Sequence, residues 1–180
     1  MKKVIVTIVG LMVLTAGAFA QQGELKISPA VELALPTGDA ADVNSIGLGI
    51  TAKGLYGVTE NGQVTFTTGL LVAGAKKKYK DWLDADKITN TMVPLLAGYR
   101  HNFNGLFVEP QIGYGIYASK VKGGEFESKE SNGAFTWAAN VGYIFNNIEA
   151  GLRYQSAHKD GSSSGFVGLR IGYIIPVGNK

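Results

Sequence analysis

The segment His158-Lys159-Asp160-Gly161-Ser162-Ser163-Ser164 gathers an imidazole, a carboxylate and three hydroxyls. These are the groups of nucleophilic catalysis: a histidine base takes the serine proton, and a third group orients the base. That chemistry needs a fixed distance between base and nucleophile, and one flexible polar loop does not provide it. The segment reads more simply as a polar turn. The other histidine, His101, falls in a separate short turn, too far away to cooperate. The chain has no Cys, no phosphate-binding glycine loop and no metal-ligand spacing. No catalytic, cofactor-binding or metal residue is assigned, no cofactor is expected, and the chain reads as non-enzymatic.

Two further charged groups are candidates for binding rather than catalysis. Lys76, Lys77, Lys78 and Lys80 crowd the start of a polar stretch that continues through Asp81, Trp82, Asp84, Asp86 and Lys87. This is either a solvated loop or a contact for a surface polyanion, and binding of the second kind weakens as salt rises. Lys26, Glu32, Lys53, Arg100, Glu109, Glu149, Arg153 and Arg170 instead sit singly among apolar and small residues. Five are basic and three acidic. Glu149 and Arg153 lie four apart and so share one face of an extended strand.

The elements that hold these residues follow from the ends and from periodicity. Lys2 and Lys3, the uncharged run from Val4 to Leu14, and Ala18-Phe19-Ala20 have the charged, apolar and small-residue order of a secretory signal. The run is shorter than the roughly 20 residues of a spanning helix. Residues 1–20 are therefore expected to be cleaved, leaving 21–180 as one domain. Residue 21 is Gln, which argues against a lipid-anchored cysteine. Two lysines leave with the signal, so 15 basic residues face 14 acidic ones. A near-neutral chain gives no reason to expect nucleic acid. Without Cys, an exported domain must rely on closure and packing instead of disulfides. The 25 glycines disfavour helices.

Eight segments alternate apolar with small or polar residues: Leu25–Pro36, Ile46–Val58, Val64–Ala75, Thr91–Arg100, Leu106–Ser119, Gly133–Phe145, Ile148–Ala157 and Gly165–Val177. Most approach the about 9–11 residues of a tilted membrane strand. The connections at 59–62, 101–105 and 146–147 are short and rich in Asn or Gly, which tolerate the positive φ of tight hairpins. Those at 37–45, 76–90, 120–132 and 158–164 are longer and polar. Long and short alternate, so an antiparallel barrel collects the short turns on one rim and the long loops on the other. Bacterial outer-membrane barrels share this asymmetry, with the short turns periplasmic. Eight strands then place both termini in the periplasm.

The alternation also assigns faces. Ile148, Ala150, Leu152 and Tyr154 oppose Glu149, Gly151, Arg153 and Gln155, and Val167, Leu169, Ile171 and Tyr173 oppose Gly168, Arg170 and Gly172. A soluble lipocalin-like barrel would turn the apolar set inward, but an eight-stranded interior has little room for it. A membrane barrel turns it outward and leaves glycines inside to accommodate charged side chains. An Arg facing lipid near the midplane costs about 2–4 kcal/mol, so Arg153 and Arg170 are expected inside. The eight inward charges are expected to pair across the strands and plug so narrow a lumen, the alternative being a gated, anion-preferring pore. Tyr56, Tyr99, Phe103, Tyr143, Phe145 and Tyr173 fall near one rim, and Phe135, Trp137 and Tyr154 near the other, as interfacial girdles do. The predicted fold is an all-β, eight-stranded antiparallel up-and-down transmembrane barrel.

The stretches GLFVEPQIGYGIY (105–117), LLAGYRHNF (95–103) and GLRIGYIIPVG (168–178) resemble the small OmpA/OmpX-like barrels, within the broad outer membrane protein beta-barrel domain family. The resemblance spans the whole mature chain. It implies a Gram-negative outer membrane, contact with outer-membrane lipid and lipopolysaccharide, and insertion by the barrel-assembly machinery. It also implies a structural or surface-interaction role through the loops, with an extracellular ligand as a further partner. Competing readings are a narrow solute pore, a lipid A-modifying enzyme and a soluble binding barrel. One departure concerns the end of the chain. Such barrels often finish on an aromatic residue, whereas this chain runs past Tyr173 through Pro176 to Lys180.

Overall fold

The computed structural model describes residues 23–82, 85–123, 126–159 and 161–177. The expected signal segment, Asp84, Asp160 and residues 178–180 lie outside them. Eight long strands follow one another: β1 (Leu25–Thr37), β2 (Asn44–Gly57), β3 (Gly62–Ala75), β4 (Lys87–Phe103), β5 (Leu106–Gly123), β6 (Phe126–Phe145), β7 (Ile148–Lys159) and β8 (Ser162–Tyr173). Each pairs antiparallel with the next, and β1 pairs with both β2 and β8. The sheet is therefore a closed eight-stranded barrel without a free edge. A two-residue strand, β9 (Ile175–Pro176), resumes the line of β8 beyond Ile174 and pairs with Lys26 and Ile27 of β1. The eighth predicted strand thus carries one interruption.

Faces follow the period-2 pattern. Leu48, Ile50, Ile112, Leu152 and Ile171 point outward and are 50–70% exposed, whereas Arg100, Glu109, Glu149 and Arg153 point inward and are at most 2% exposed. A soluble barrel would show the reverse, so this arrangement excludes the lipocalin-like alternative. Among the described residues no helix is long and apolar enough to cross a membrane. The crossing is made by strands. Aromatic side chains project outward near both rims, among them Tyr99, Phe103, Tyr143, Phe145 and Tyr173 at the short turns, and Phe135 and Tyr154 toward the loops.

The short turns follow their residue chemistry. Asn104 (φ 53°), Gly105 (φ 101°) and Asn146 (φ 54°) adopt the left-handed conformation that Asn and Gly tolerate. Elsewhere several predicted loops are strand. His101, Asn102 and Phe103 belong to β4, and only Asn104 and Gly105 form the turn. Most of 120–132 belongs to a β5–β6 ribbon paired out to Gly123 and Phe126. Most of 158–164 belongs to the β7–β8 hairpin, paired out to Lys159 and Ser162. A backbone ladder satisfies N–H and C=O groups whether its side chains face lipid or water. Once both faces are wet, the apolar alternation that marks a strand disappears. β6, at 20 residues, far exceeds what the bilayer requires. The remaining two loops each carry a short helix, α1 (Asp39–Val43) and α2 (Lys77–Trp82).

Ile50 lies at the centre of β2 with its side chain outward. Ile50→Arg should cost about 2–4 kcal/mol of folding free energy in lipid vesicles. Val58→Arg, in the adjoining turn, should cost about 0–1 kcal/mol. A urea titration of vesicle insertion measures both, and equal costs would contradict the assigned lipid face.

Candidate functional site

Two regions gather groups capable of recognition: the lumen and the loop rim. Seven of the eight charged residues singled out in the strands meet inside the barrel. Glu109 on β5 is the hub. Lys53 Nζ on β2 donates to its Oε2 at 2.8 Å, and Arg100 Nε on β4 donates to the same oxygen at 2.8 Å. Its Oε1 accepts from Thr65 Oγ1 at 3.1 Å and Gln111 Nε2 at 2.7 Å. Arg100 Nη1 also reaches across to Glu149 Oε2 on β7 at 2.7 Å. The other oxygen of Glu149 pairs with Arg170 on β8 and accepts from Ser28 Oγ at 2.9 Å. One layer toward the loops, Arg153 faces Glu32 at 3.5 Å and donates to Gln111 Oε1 at 3.3 Å.

These side chains come from β1, β2, β3, β4, β5, β7 and β8, so the network ties the barrel wall together across its axis. Glycine makes the space. A Cβ on Gly168 would lie 2.8 Å from Glu32 Oε1, and one on Gly142 would lie 2.6 Å from the Phe107 ring. Phe107 lies under the network with the Arg100 guanidinium 4.0 Å from its centroid. The void among Lys53, Phe107, Glu149, Arg153 and Arg170 is only about 10 Å³, about the space of one water.

One predicted member needs correction. Lys26 does not join the network. It sits at the turn rim, half-buried, and pairs with Glu24 at 2.8 Å, because it lies on the first turn-rim residues of β1, below Ser28. Glu149 and Arg153 share a face of β7 but do not pair with each other. Neighbouring strands bring closer partners to each: Arg100 and Arg170 to Glu149, Glu32 to Arg153. Sequence reasoning missed Gln111, Thr65 and Ser28, uncharged residues whose inward alternation was their only signal.

The histidine reading also changes. His158 lies on β7, directly opposite Ser163 in the β7–β8 register. Its Nε2, however, meets Ser156 Oγ at 3.1 Å and accepts the Trp137 indole N–H at 3.1 Å. Ser162, Ser163 and Ser164 are therefore not its hydrogen-bond partners. The indole consumes the lone pair a general base would need.

At the loop rim, Lys76, Lys77 and Lys78 are exposed and Lys80 is half-buried, the last three on α2. None forms an ion pair among the described residues. Further lysines converge on the outer face of the β4–β5–β6 ribbon, where Lys87 lies opposite Lys122 and Lys120 opposite Lys129. Like charges directly across a ladder are unfavourable. Glu127 offsets them in part, 2.5 Å from Lys120 Nζ and 3.2 Å from Lys122 Nζ. Hydrogen bonds from these two lysines hold its carboxyl below its ordinary range.

Removing one partner of a buried ion pair leaves the other charge unpaired, at about 3–5 kcal/mol. Glu109→Ala leaves Lys53 without an ion-pair partner and Arg100 with Glu149 alone, and is expected to lower vesicle-folding stability by about that amount. Adding Lys53→Met should recover part of the loss. Unchanged stability in the single variant would show that the network contributes nothing to the wall.

Solved structures share this architecture. The attachment invasion locus protein Ail of Yersinia pestis matches with a TM-score of 0.62 at 17% identity, covering 86% of this chain and 100% of Ail. Ail has also been solved in complex with the heparin analogue sucrose octasulfate. Neisserial surface protein A matches with a TM-score of 0.57 at 13% identity, covering 85% of this chain and 97% of that one. The N-terminal β-barrel domain of Pseudomonas aeruginosa OprF matches with a TM-score of 0.50 at 14% identity, covering 86% and 98%. No curated protein matches the chain in sequence. At these identities the structural likenesses speak to the fold. The sequence model of the outer membrane protein beta-barrel domain matches residues 6–174, and with the closed, outwardly apolar barrel it establishes that the chain is a small Gram-negative outer-membrane β-barrel belonging to that family.

Proposed function

We propose that the protein is a non-enzymatic surface-interaction barrel whose lumen is held shut and whose loop rim contacts polyanions. The loop rim faces the outside and both termini face the periplasm, after removal of residues 1–20 as a signal peptide. The observation that carries the reading is the contrast in charge pairing. Inside, Glu32, Glu109 and Glu149 are each matched to a buried cation. Outside, Lys76, Lys77, Lys78 and Lys80 lack ion-pair partners among the described residues, and the ribbon sets lysine against lysine. The ligand class is a phosphorylated or sulfated surface glycan, the lipopolysaccharide core included. That Ail was solved with a heparin analogue supports the same class here.

Sucrose octasulfate is the direct probe, titrated against the protein in nanodiscs. Replacing Lys76, Lys77, Lys78 and Lys80 together by alanine should weaken binding by about tenfold or more, and binding should fall steadily as salt rises. Glu127→Gln frees Lys120 and Lys122 and should strengthen it. Because the carboxyl of Glu127 is depressed, it stays ionised at neutral pH, and acidification should mimic the substitution only below the ordinary carboxylate range. Salt-insensitive binding, or none, would end the polyanion reading.

Closure is tested separately. Planar-bilayer recordings of the wild type should show no steady conductance. Glu149→Ala or Arg170→Ala should disturb folding or gating. A stable open current in the wild type would instead favour a narrow pore.

A further inference from the structure

Above the charged network, toward the loops, the lumen changes character. Ala34, Leu71 and Met92 form a buried apolar cluster there, with Tyr117 and Phe166 packed against it. Lipid explains apolar residues on the outer face of a barrel. It does not explain these, which point inward on β1, β3, β4, β5 and β8. Nor do they fill the space they enclose. They line a chamber of about 360 Å³ whose mouth is at the loop rim. That volume lies within the about 300–1,000 Å³ of small-molecule sites.

The chamber also has a polar group with an unmet need. Gln155 lines it and is 1% exposed, and its Oε1 has no hydrogen-bond partner. Its amide nitrogen is turned to Met92 Sδ at 3.0 Å, a weak acceptor. The neighbouring Tyr117 hydroxyl oxygen also lies within hydrogen-bonding reach of the Gln155 amide, but its proton is already committed. Thr136 Oγ1 gives its proton to the Ala134 carbonyl at 3.2 Å, so it accepts from Tyr117 at 3.1 Å. A buried acceptor left in this state is unfavourable unless something donates to it. The mouth is braced by Asn90, whose amide donates to Asn44 Oδ1 at 2.5 Å, and Asn44 donates in turn to the Ala40 carbonyl of α1 at 3.1 Å.

From this geometry we infer that the loop-rim chamber binds a small, neutral, mostly apolar molecule that donates one N–H or O–H hydrogen bond to Gln155 Oε1. Phenols and indoles have this chemistry. Neutrality follows from the lining. The nearest inner charges, Arg153 and Glu32, face each other below the chamber, and among the described residues Glu130 at the mouth is the one charged residue lining it. An anion would enter an apolar space without a counter-charge, and a cation would find one only at the mouth. The inference does not depend on the loop lysines, which lie outside the chamber.

Indole and N-methylindole are the probes, added to protein in lipid nanodiscs, with empty nanodiscs subtracted. Ligand-observed NMR reads saturable binding. Indole is expected to saturate a single site and to bind roughly fivefold more tightly than N-methylindole, the worth of one hydrogen bond. Gln155→Leu should abolish that preference while retaining apolar binding. Ala34→Trp, which fills the chamber, should abolish binding of both probes. Ala73→Phe, on the other side of Gly47 from Ala34 in the β1–β2–β3 register, serves if Ala34→Trp fails the heat-modifiable gel shift of a closed barrel. The alanine variant of Lys76, Lys77, Lys78 and Lys80 should bind indole as the wild type does, whatever happens to its polyanion binding. No saturable binding above empty nanodiscs, or binding that survives a folded chamber-filling variant, overturns the site. Equal affinity for the two probes overturns the role of Gln155.

Discussion

A bilayer offers no water to an unpaired peptide group, and the rest of this structure follows from that constraint. The β1–β8 pairing closes the ladder, so no strand presents an edge to lipid. Once the sheet is closed, every strand has one face toward lipid and one toward the lumen. Apolar residues are then required outside, and the lumen must be built from whatever remains. The glycines, threonines and long charged side chains of the inner face are the consequence.

Lumen charges come at a cost, because ions leave water when they are buried. The structure offsets it by coordination. Glu109 receives hydrogen bonds from Lys53, Arg100, Thr65 and Gln111, and Glu149 is shared by Arg100, Arg170 and Ser28. Such a network is weak evidence for net stability over an apolar filling. Its effect is geometric: it joins strands far apart around the wall and divides the lumen. The space on the turn side is lined by Glu24, Lys26 and Asn102, whereas the chamber on the loop side is mostly apolar. One polar layer thus separates two environments of different chemistry.

Strand number, antiparallel order and the inside or outside fate of side chains in the membrane-spanning part of the strands were all legible in the chain. Period 2 is a local signal, and membrane strands obey it strictly because lipid penalises each violation. The positive φ of Asn104 and Asn146 was equally local. Strand length at the loop rim was not legible. Lys120, Lys122, Glu127 and Lys129 look like a loop because both faces of their ribbon are wet. The chamber was illegible for another reason. Ala34, Leu71 and Met92 come from three strands, and nothing in any one of them marks an apolar cluster across the lumen.

By itself the sequence determined the solvent, the closure and the face of each residue in the membrane-spanning part of the strands, because alternation and turn chemistry act over a few neighbours. Which charges pair was decided only by the tertiary structure. Glu149 turns from Arg153, four residues away, to Arg100 and Arg170, since barrel closure brings these within reach. His158 likewise meets Ser156 and Trp137 rather than the serines that follow it. Contacts across a barrel depend on register and curvature summed over all eight strands, and no local stretch of chain contains that sum.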